Sequence, residues 1–362
     1  MSGGAIIDLV SKGAQDVHLH TQDLNASFFR SVYTKHVKFA QVAKKLDAPV
    51  PAPNKFEILT VKRYGDLVNG VWFEGPNAVE LLRGTTFDLY IGGRKIDTHT
   101  HEFITEIWHT YMSDTVAKTR NLHVSNNGFL PLHFFFCDDP GASLPLVAMQ
   151  YTDVELHVTW GPNVPPTGID WYANYVFLDT AEREAIVARE ETTMLVTQVQ
   201  RYAYPLATGQ TVDVDLSYLN HPVKSLYFGF GVTDAGEPVI DDRFTFAGCD
   251  LRLNGTSYFE SLSAMYFHTA QCYYRSRLGR IDFDHAAGAP VATRFFTYNF
   301  GLDATDASPT GACNFSRLDN AKLTLHDVVV SPNRVGQDLI LYAVNYNVIR
   351  IKKGLAGIIF AD

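Results

Sequence analysis

The sequence predicts an all-β protein. Three observations carry this: period-two alternation of apolar residues, regular punctuation by turn residues, and little helical periodicity. VDVDLSYL (212–219) sets Val212, Val214, Leu216 and Tyr218 on one face and Asp213, Asp215 and Ser217 on the other. DVELHVTW (153–160) does the same with Val154, Leu156, Val158 and Trp160. LTLHDVVV and RFFTYNF are rich in β-branched and aromatic residues and also read as strands. Breakers fall between such runs: Pro51 and Pro53, Asn163 to Pro166, Asn254-Gly255, Gly288 to Pro290, and Ser331-Pro332.

Two stretches read as helix. HEFITEIWHTYM (101–112) carries Ile104, Ile107, Trp108 and Tyr111 at three- and four-residue spacing. LDTAEREAIVAREET (178–192) opens with Asp179 and Glu182 in capping-box positions, and the strand-like TMLVTQVQ follows it. Many short strands with few helices predict sandwiches or barrels, not βαβ units. The second helix falls near the midpoint, so two β domains of similar size are expected behind an N-terminal arm. The halves echo each other loosely as runs of strands, without a clear sequence repeat.

Bulk composition narrows the function. The chain has 362 residues, 46% hydrophobic, 13% aromatic and 19% charged, with a formal net charge of −9. A charge-poor, mildly acidic chain lacks the basic stripe that phosphate binding needs, so nucleic acid is not the expected partner. Such a composition suits a chain that buries much surface within itself or against copies of itself. No apolar run approaches the about 20 residues of a membrane span, and no secretory signal is expected at the N-terminus. Cys137, Cys249, Cys272 and Cys313 are far apart and form no C-x-x-C, so buried free thiols are expected and structural zinc is not.

The chemical candidates are few. IDTHTHEF places His99 and His101 in the His-x-His pattern of metal-dependent hydrolases. Chelation by i and i+2 needs a strand, because on a helix the two residues lie about 200° apart. The amphipathic helix begins right at these histidines, and the alternating helices of a TIM barrel are missing. Polar residues at a strand-to-helix junction are therefore the expectation. His18 and His20 form a second pair, in the arm, with no Cys partner or acidic cluster nearby, and read as solvated or locally bonded imidazoles. Asp138-Asp139 and Asp241-Asp242 sit beside turn residues and read as surface turns. Arg30, Lys35, Lys38, Lys44 and Lys45 make a small basic cluster that reads as a solvated face. No nucleophile elbow or phosphate loop is present, and neither a catalytic residue nor a cofactor is expected. Sequons occur at Asn25, Asn254 and Asn314. Asn254 lies in an Asn-Gly turn and is the sterically better glycan acceptor. Asn314 is expected within packed structure and unglycosylated.

Several segments together resemble one family. GAQDVHLH (13–20) followed by SFFRSVYTKHVKFA (27–40) resembles the N-terminal hallmark of major capsid proteins of nucleocytoplasmic large DNA viruses, in particular the algal-virus branch. LYIGGRKIDTHTHEF, LPLHFFFCDDPGASLPLVAMQYTDVELHV and WYANYVFLDTAERE continue the resemblance in order. LNHPVKSLYF, LRLNGTSYF, PTGACNFSRLDNAKLTL and YAVNYNVIRIKKGLAGIIF carry it through the second half. The sequence departs at Tyr151-Thr152, where the family has Tyr-His, and at ETTMLVTQ after the mid-chain helix. Its 231–243 loop is also short.

The resemblance implies two consecutive eight-stranded antiparallel jelly rolls, 27–200 and 201–362, behind an arm of 1–26. It implies a structural protein and not an enzyme, with no metal at His99 and His101. The expected product is a homotrimeric, pseudo-hexagonal capsomer of an icosahedral virion, contacting neighbouring capsomers and minor capsid proteins and assembled in the host cytoplasm. A minor capsid paralogue and a lectin-like carbohydrate-binding β-sandwich remain the alternatives.

Overall fold

The computed structural model describes residues 36–113, 115, 118, 128–206, 209–230, 244–276, 295–330 and 338–360. The arm (1–26), His18, His20, Asn25, Arg30, Lys35, the 231–243 loop with Asp241 and Asp242, and the turns at 288–290 and 331–332 lie outside these residues. The first strands are β1 (Phe39–Lys45), β2 (Phe56–Thr60), β3 (Leu67–Glu74), β4 (Thr86–Ile91), β5 (Arg94–Thr100), β6 (Phe129–Pro131), β7 (Val154–Thr159) and β8 (Asp170–Leu178). They pair antiparallel in two sheets, ordered β1-β8-β3-β6 and β2-β7-β4-β5. Then come β9 (Glu191–Pro205), β10 (Val212–Asp215), β11 (Pro222–Phe230), β12 (Phe244–Thr245), β13 (Gly248–Leu253), β14 (Thr256–Leu262) and β15 (Phe295–Asn299). The last are β16 (Cys313–Asn314), β17 (Ala321–His326), β18 (Val329–Val330), β19 (Asp338–Lys352) and β20 (Leu355–Ile358).

The order repeats. In the second set, β9-β19-β11-β15 and β10-β17-β13-β14 are neighbours. Set aside the short β12, β16, β18 and the terminal β20, and both sets read first-eighth-third-sixth and second-seventh-fourth-fifth. This is the jelly-roll order, twice. The double jelly roll expected from the sequence is the observed fold.

Alternation explains the cores. Val154, Leu156, Val158 and Trp160 all turn inward, at 2% exposure or less, against Phe73, Phe87 and Trp171. Phe73 sits between the Trp160 and Trp171 rings, with centroids 6.0 and 6.3 Å away. Trp171 donates its indole N–H to Asp47 O at 2.8 Å, so its one polar atom is satisfied. The second core gathers Val214, Leu226, Phe228, Phe296, Leu323 and Leu341. At Asn254 and Gly255 φ is 49° and 78°, the left-handed pair that a two-residue hairpin between β13 and β14 demands.

β19 does not alternate through its middle. β9 and β19 pair along their whole length, from Glu191↔Lys352 to Pro205↔Asp338, 15 residues each. At about 3.3 Å per residue this ribbon is roughly 50 Å long. In β19, Leu339 to Asn347 are all buried, because both faces are covered. Leu339, Leu341 and Ala343 enter the second core, and Ile340, Tyr342 and Val344 enter a third cluster on the other face. Farther along, Ile349 and Ile351 belong to the first core, as does Val196 of β9. The ribbon therefore contributes side chains to both cores.

Three local expectations need correction. Residues 101–112 are helical, but Phe103–Met112 is a π-helix, closed by Ser113 N–H donating to Trp108 O at 2.9 Å. Ile104 faces the first core, while Phe103, Ile107, Trp108 and Tyr111 face the third cluster, so the helix serves two packing surfaces. The mid-chain helix is Thr180–Val187, not 178–192, because Glu191 and Thr192 already pair with β19. Its cap is Asp179, which accepts the Thr180 N–H at 2.9 Å. Tyr218 is 60% exposed and not inward-facing. β10 ends at Asp215, whose carboxylate accepts the Ser217 N–H at 2.9 Å and turns the chain.

Because β9 and β19 join the cores, the rolls should unfold together. Trp171→Ala in the first core and Phe228→Ala in the second should each cost about 3–5 kcal/mol. Both should move one shared denaturation midpoint. Two transitions, each moved by only one of the substitutions, would contradict this.

Candidate functional site

The seam between the rolls is where the described chain concentrates buried polar groups. The π-helix lays Phe103, Ile107, Trp108 and Tyr111 on the outer face of β19, β11 and β15. Tyr111 donates its hydroxyl to Phe295 O at 2.5 Å, and its ring lies 5.6 Å from Tyr227. Tyr342 is 1% exposed. Its hydroxyl donates to Glu102 Oε2 at 2.7 Å, receives Arg201 Nε–H at 3.2 Å, and lies 2.8 Å from Thr100 Oγ1. Burial pushes this phenol's pKa up, so it stays a neutral donor.

Where the ribbon passes between cores, amides replace aliphatic side chains. Gln200 Nε2 donates to Asn345 Oδ1 at 2.9 Å and to Asn220 O at 2.8 Å. Asn347 Nδ2 donates to Gln198 Oε1 at 2.8 Å and to Phe360 O at 2.9 Å. Gln198 Nε2 donates to Ile96 O. Asp97 holds the adjoining edge, accepting the N–H groups of Thr98 and Val199, each at 2.8 Å. Every amide here has a partner, which is the condition for burying it.

Beside the seam lies a cleft of about 670 Å³, with Trp108, Asp138, Met194, Lys224 and Asp306 in its wall. Lys224 is 3% exposed and donates Nζ to Asp306 O at 2.6 Å. Burial lowers its pKa to about 8, against the opposing pull of Asp303, Asp306 and Asp138. Sequence reasoning missed Lys224, although its place in the apolar run PVKSLYF is the signal that could have marked it.

The sequence candidates are dispersed into structural roles. His99 lies in β5, inside a strand and not at the start of the helix, and its Nε2 is 2.9 Å from Asp97 Oδ2. Its ring stacks on Phe134 at 4.5 Å. His101 donates Nε2–H to Val79 O at 2.5 Å. Burial, partly offset by that bond, lowers its pKa to about 4. The two imidazoles thus serve different partners. The described residues contain no group of three or more His, Cys, Asp or Glu side chains placed to hold a metal ion. Asp138 accepts from His133 Nδ1 at 2.9 Å, while Asp139 accepts the Gly141 N–H at 2.9 Å and caps a turn. Lys38 and Lys44 are exposed, and Lys45 pairs with Asp170 at 2.6 Å. All four cysteines are free. Asn314 is exposed, contrary to expectation, because the buried member of its sequon is Phe315. No helix among the described residues is long and apolar enough to cross a membrane.

Duplicated strand order and a shared ribbon place the chain in the double jelly-roll class. The quasi-atomic model of the PBCV-1 virus capsid shares this fold, with a TM-score of 0.76 and 24% identity over 93% of this chain and 100% of that one. The Faustovirus major capsid protein does so with a TM-score of 0.72 and 10% identity over 94% and 95%. Two family profiles cover most of the sequence: "Major capsid protein N-terminus" matches residues 79–179, and "Large eukaryotic DNA virus major capsid protein" matches 182–357. The chain is 28% identical to the major capsid protein of Pyramimonas orientalis virus, over 99% of this chain and 100% of that protein. It is also 28% identical to the major capsid protein of Paramecium bursaria Chlorella virus 1, over 100% of both. The chain belongs to the major capsid protein family of large eukaryotic DNA viruses. It is a structural component of the virion and not an enzyme.

Two outcomes follow from the seam. Tyr342→Phe should destabilise by about 1–3 kcal/mol, because Glu102 loses a buried donor; an unchanged urea midpoint would show the hydroxyl to be idle. His101 sets an acid limit. Its folded pKa of about 4 lies below the ordinary histidine value of about 6.5, so the fold prefers the neutral ring. Stability from this group is complete above about 6.5 and is lost as pH falls towards 4, by roughly 3 kcal/mol. Burial lowers the pKa of His133 in the same direction. His101→Gln should flatten the fall in melting temperature across that window; an unaltered slope would assign the acid limit elsewhere.

Proposed function

We propose that this capsid protein forms a homotrimeric capsomer with a pseudo-hexagonal outline, the repeating block of an icosahedral shell. The observation that carries the reading is the twice-repeated strand order within one chain. Two similar rolls per chain make six in a trimer, and six similar units around an axis tile a plane. Closed rotational symmetry is the usual solution for copies of one chain.

The chain divides on this reading into an arm of 1–26, a first roll of 27–200 and a second of 201–362, with the handover inside β9. Early β9 residues (Met194, Val196) pack on the first core and late ones (Tyr202, Tyr204) on the second, which supports a handover there. Neighbouring capsomers contact the outer edges, and minor capsid proteins contact the inner side of the shell. Assembly takes place in the host cytoplasm, a reducing setting that suits four free thiols. Asn254 is the glycan acceptor, if the chain carries one. It is exposed, and its Oδ1 accepts the N–H groups of Asp319 and Asn320 at 3.0 and 3.1 Å, while its side-chain Nδ2 makes no hydrogen bond to a described residue. At Asn314 the sequon hydroxyl is occupied, since Ser316 Oγ accepts the His221 N–H at 2.7 Å.

Light scattering of the purified protein should return three times the 40.4 kDa chain mass. Electron microscopy should show a three-lobed, near-hexagonal particle. A protein that stays monomeric up to assembly concentrations would reject the capsomer reading.

A further inference from the structure

The two rolls repeat each other down to the aromatic residues on one sheet face. In the second roll Tyr342 of β19 stands directly opposite Tyr227 of β11, and two residues along β11 Gly229 stands opposite Phe295 of β15. In the first roll Tyr172 of β8 stands directly opposite Trp72 of β3, and two residues along β3 Glu74 stands opposite Phe129 of β6. Tyr342/Tyr227/Phe295 and Tyr172/Trp72/Phe129 are the same three positions of one design. Their surroundings differ. Tyr342, Tyr227 and Phe295 are each at most 1% exposed, beneath the π-helix. Trp72, Tyr172 and Phe129 are only half-buried and belong to none of the three buried clusters of the described residues. Trp72 stacks on Tyr172 with centroids 5.7 Å apart and lies 6.3 Å from Phe129, so the patch is preformed.

The covering element is repeated as well. His101–Ser113 follows β5, and Ala264–Ser276, of equal length, follows β14, the corresponding fifth strand. Both segments contain π-helical turns. Set side by side, Ile104 and Phe267 coincide, and each is buried in the core of its own roll. Tyr111 and Tyr274 coincide too. Tyr111 is the residue that binds Phe295 O and lies against Tyr227. Tyr274 is 75% exposed, and its neighbours Tyr273 and Met265 are 77% and 70% exposed. Among the described residues the chain thus carries a covered face with its cover, a half-buried face without one, and an exposed copy of the cover.

We propose that the occupant of the uncovered face is a second copy of this chain. Segment 264–276 of one copy lies across the outer face of β8, β3 and β6 of the next. Tyr274 repeats the role of Tyr111, its ring against Trp72 and its hydroxyl donating to Phe129 O. The contact is head-to-tail, so each copy offers one face and one cover, and the pattern closes into a ring. It rests on the trimer reading and names the surfaces through which that trimer closes. A large aromatic seated in a preformed aromatic patch is the kind of anchor that dominates an interface.

The test compares the wild type with Tyr274→Ala, Trp72→Ala and their combination, following dissociation by light scattering on dilution. Tyr274 is exposed, so its replacement should leave the melting temperature of the isolated chain unchanged and keeps the test valid should Trp72→Ala fold poorly. Each single change should weaken association about 30-fold or more, and the pair should add little beyond one of them, because they share a contact. Tyr151→Ala, an exposed tyrosine whose backbone bonds Gly354 at the β19–β20 turn, should change nothing. Combining Tyr274→Cys with Phe129→Cys should produce, on oxidation, denaturing-gel bands at two and three chain masses. A wild-type trimer whose dissociation ignores both alanine changes and which never cross-links would overturn the proposal and leave the trimer standing. A wild type that never associates would overturn both.

Discussion

Everything in the described fold leans on the pairing of β9 with β19. Fifteen consecutive partners make a ribbon that neither roll could hold alone. Its side chains supply the second core on one face, the third cluster on the other, and the first core at one end. A strand covered on both faces cannot alternate, and β19 reads DLILYAVNYNVIRIK, apolar through its middle. The amides of Gln198, Gln200, Asn345 and Asn347 sit where the ribbon passes between cores. Asn345 and Asn347 are buried, and buried amides accept few alternative partners, so they oppose slippage of a long register that aliphatic side chains would tolerate.

The candidate chemical residues are each held by a structural partner. His99 is held by Asp97, His101 by Val79 O, and His133 by Asp138. His101 thereby ties the end of β5 to the helical turn Ala78–Leu81. Lys224 is of the same kind: a buried amine whose bond to Asp306 O ties β11 to the 303–309 loop. A protein that serves as a building block needs a stable shape and repeatable surfaces, and polar groups consumed in joints are consistent with that need.

Much of the fold is legible in the sequence. Period two placed Val154, Leu156, Val158 and Trp160 on one face, and all four are buried. Asn254-Gly255 marked the β13–β14 hairpin because φ must be positive at both residues. Legibility failed where a local pattern met a tertiary demand. Helical spacing in 101–112 was real, but two surfaces had to be packed at once, and the helix widened to do so. Tyr218 fitted the alternation, yet an Asp215 turn ended the strand first. The end of the mid-chain helix was overruled by pairing of Glu191 and Thr192 with β19.

By itself the sequence determined the class of structure: all-β, two similar halves, no basic face, and family motifs from end to end. Those follow from residue type and spacing, which act locally. Tertiary structure alone decided which strands meet, that β9 and β19 span both rolls, and that Tyr342, Tyr227 and Phe295 are buried while Tyr172, Trp72 and Phe129 are only half-buried. Alternation states which residues share a face. It does not state what that face will touch, because the partner lies far along the chain and is chosen by complementary shape and satisfied hydrogen bonds.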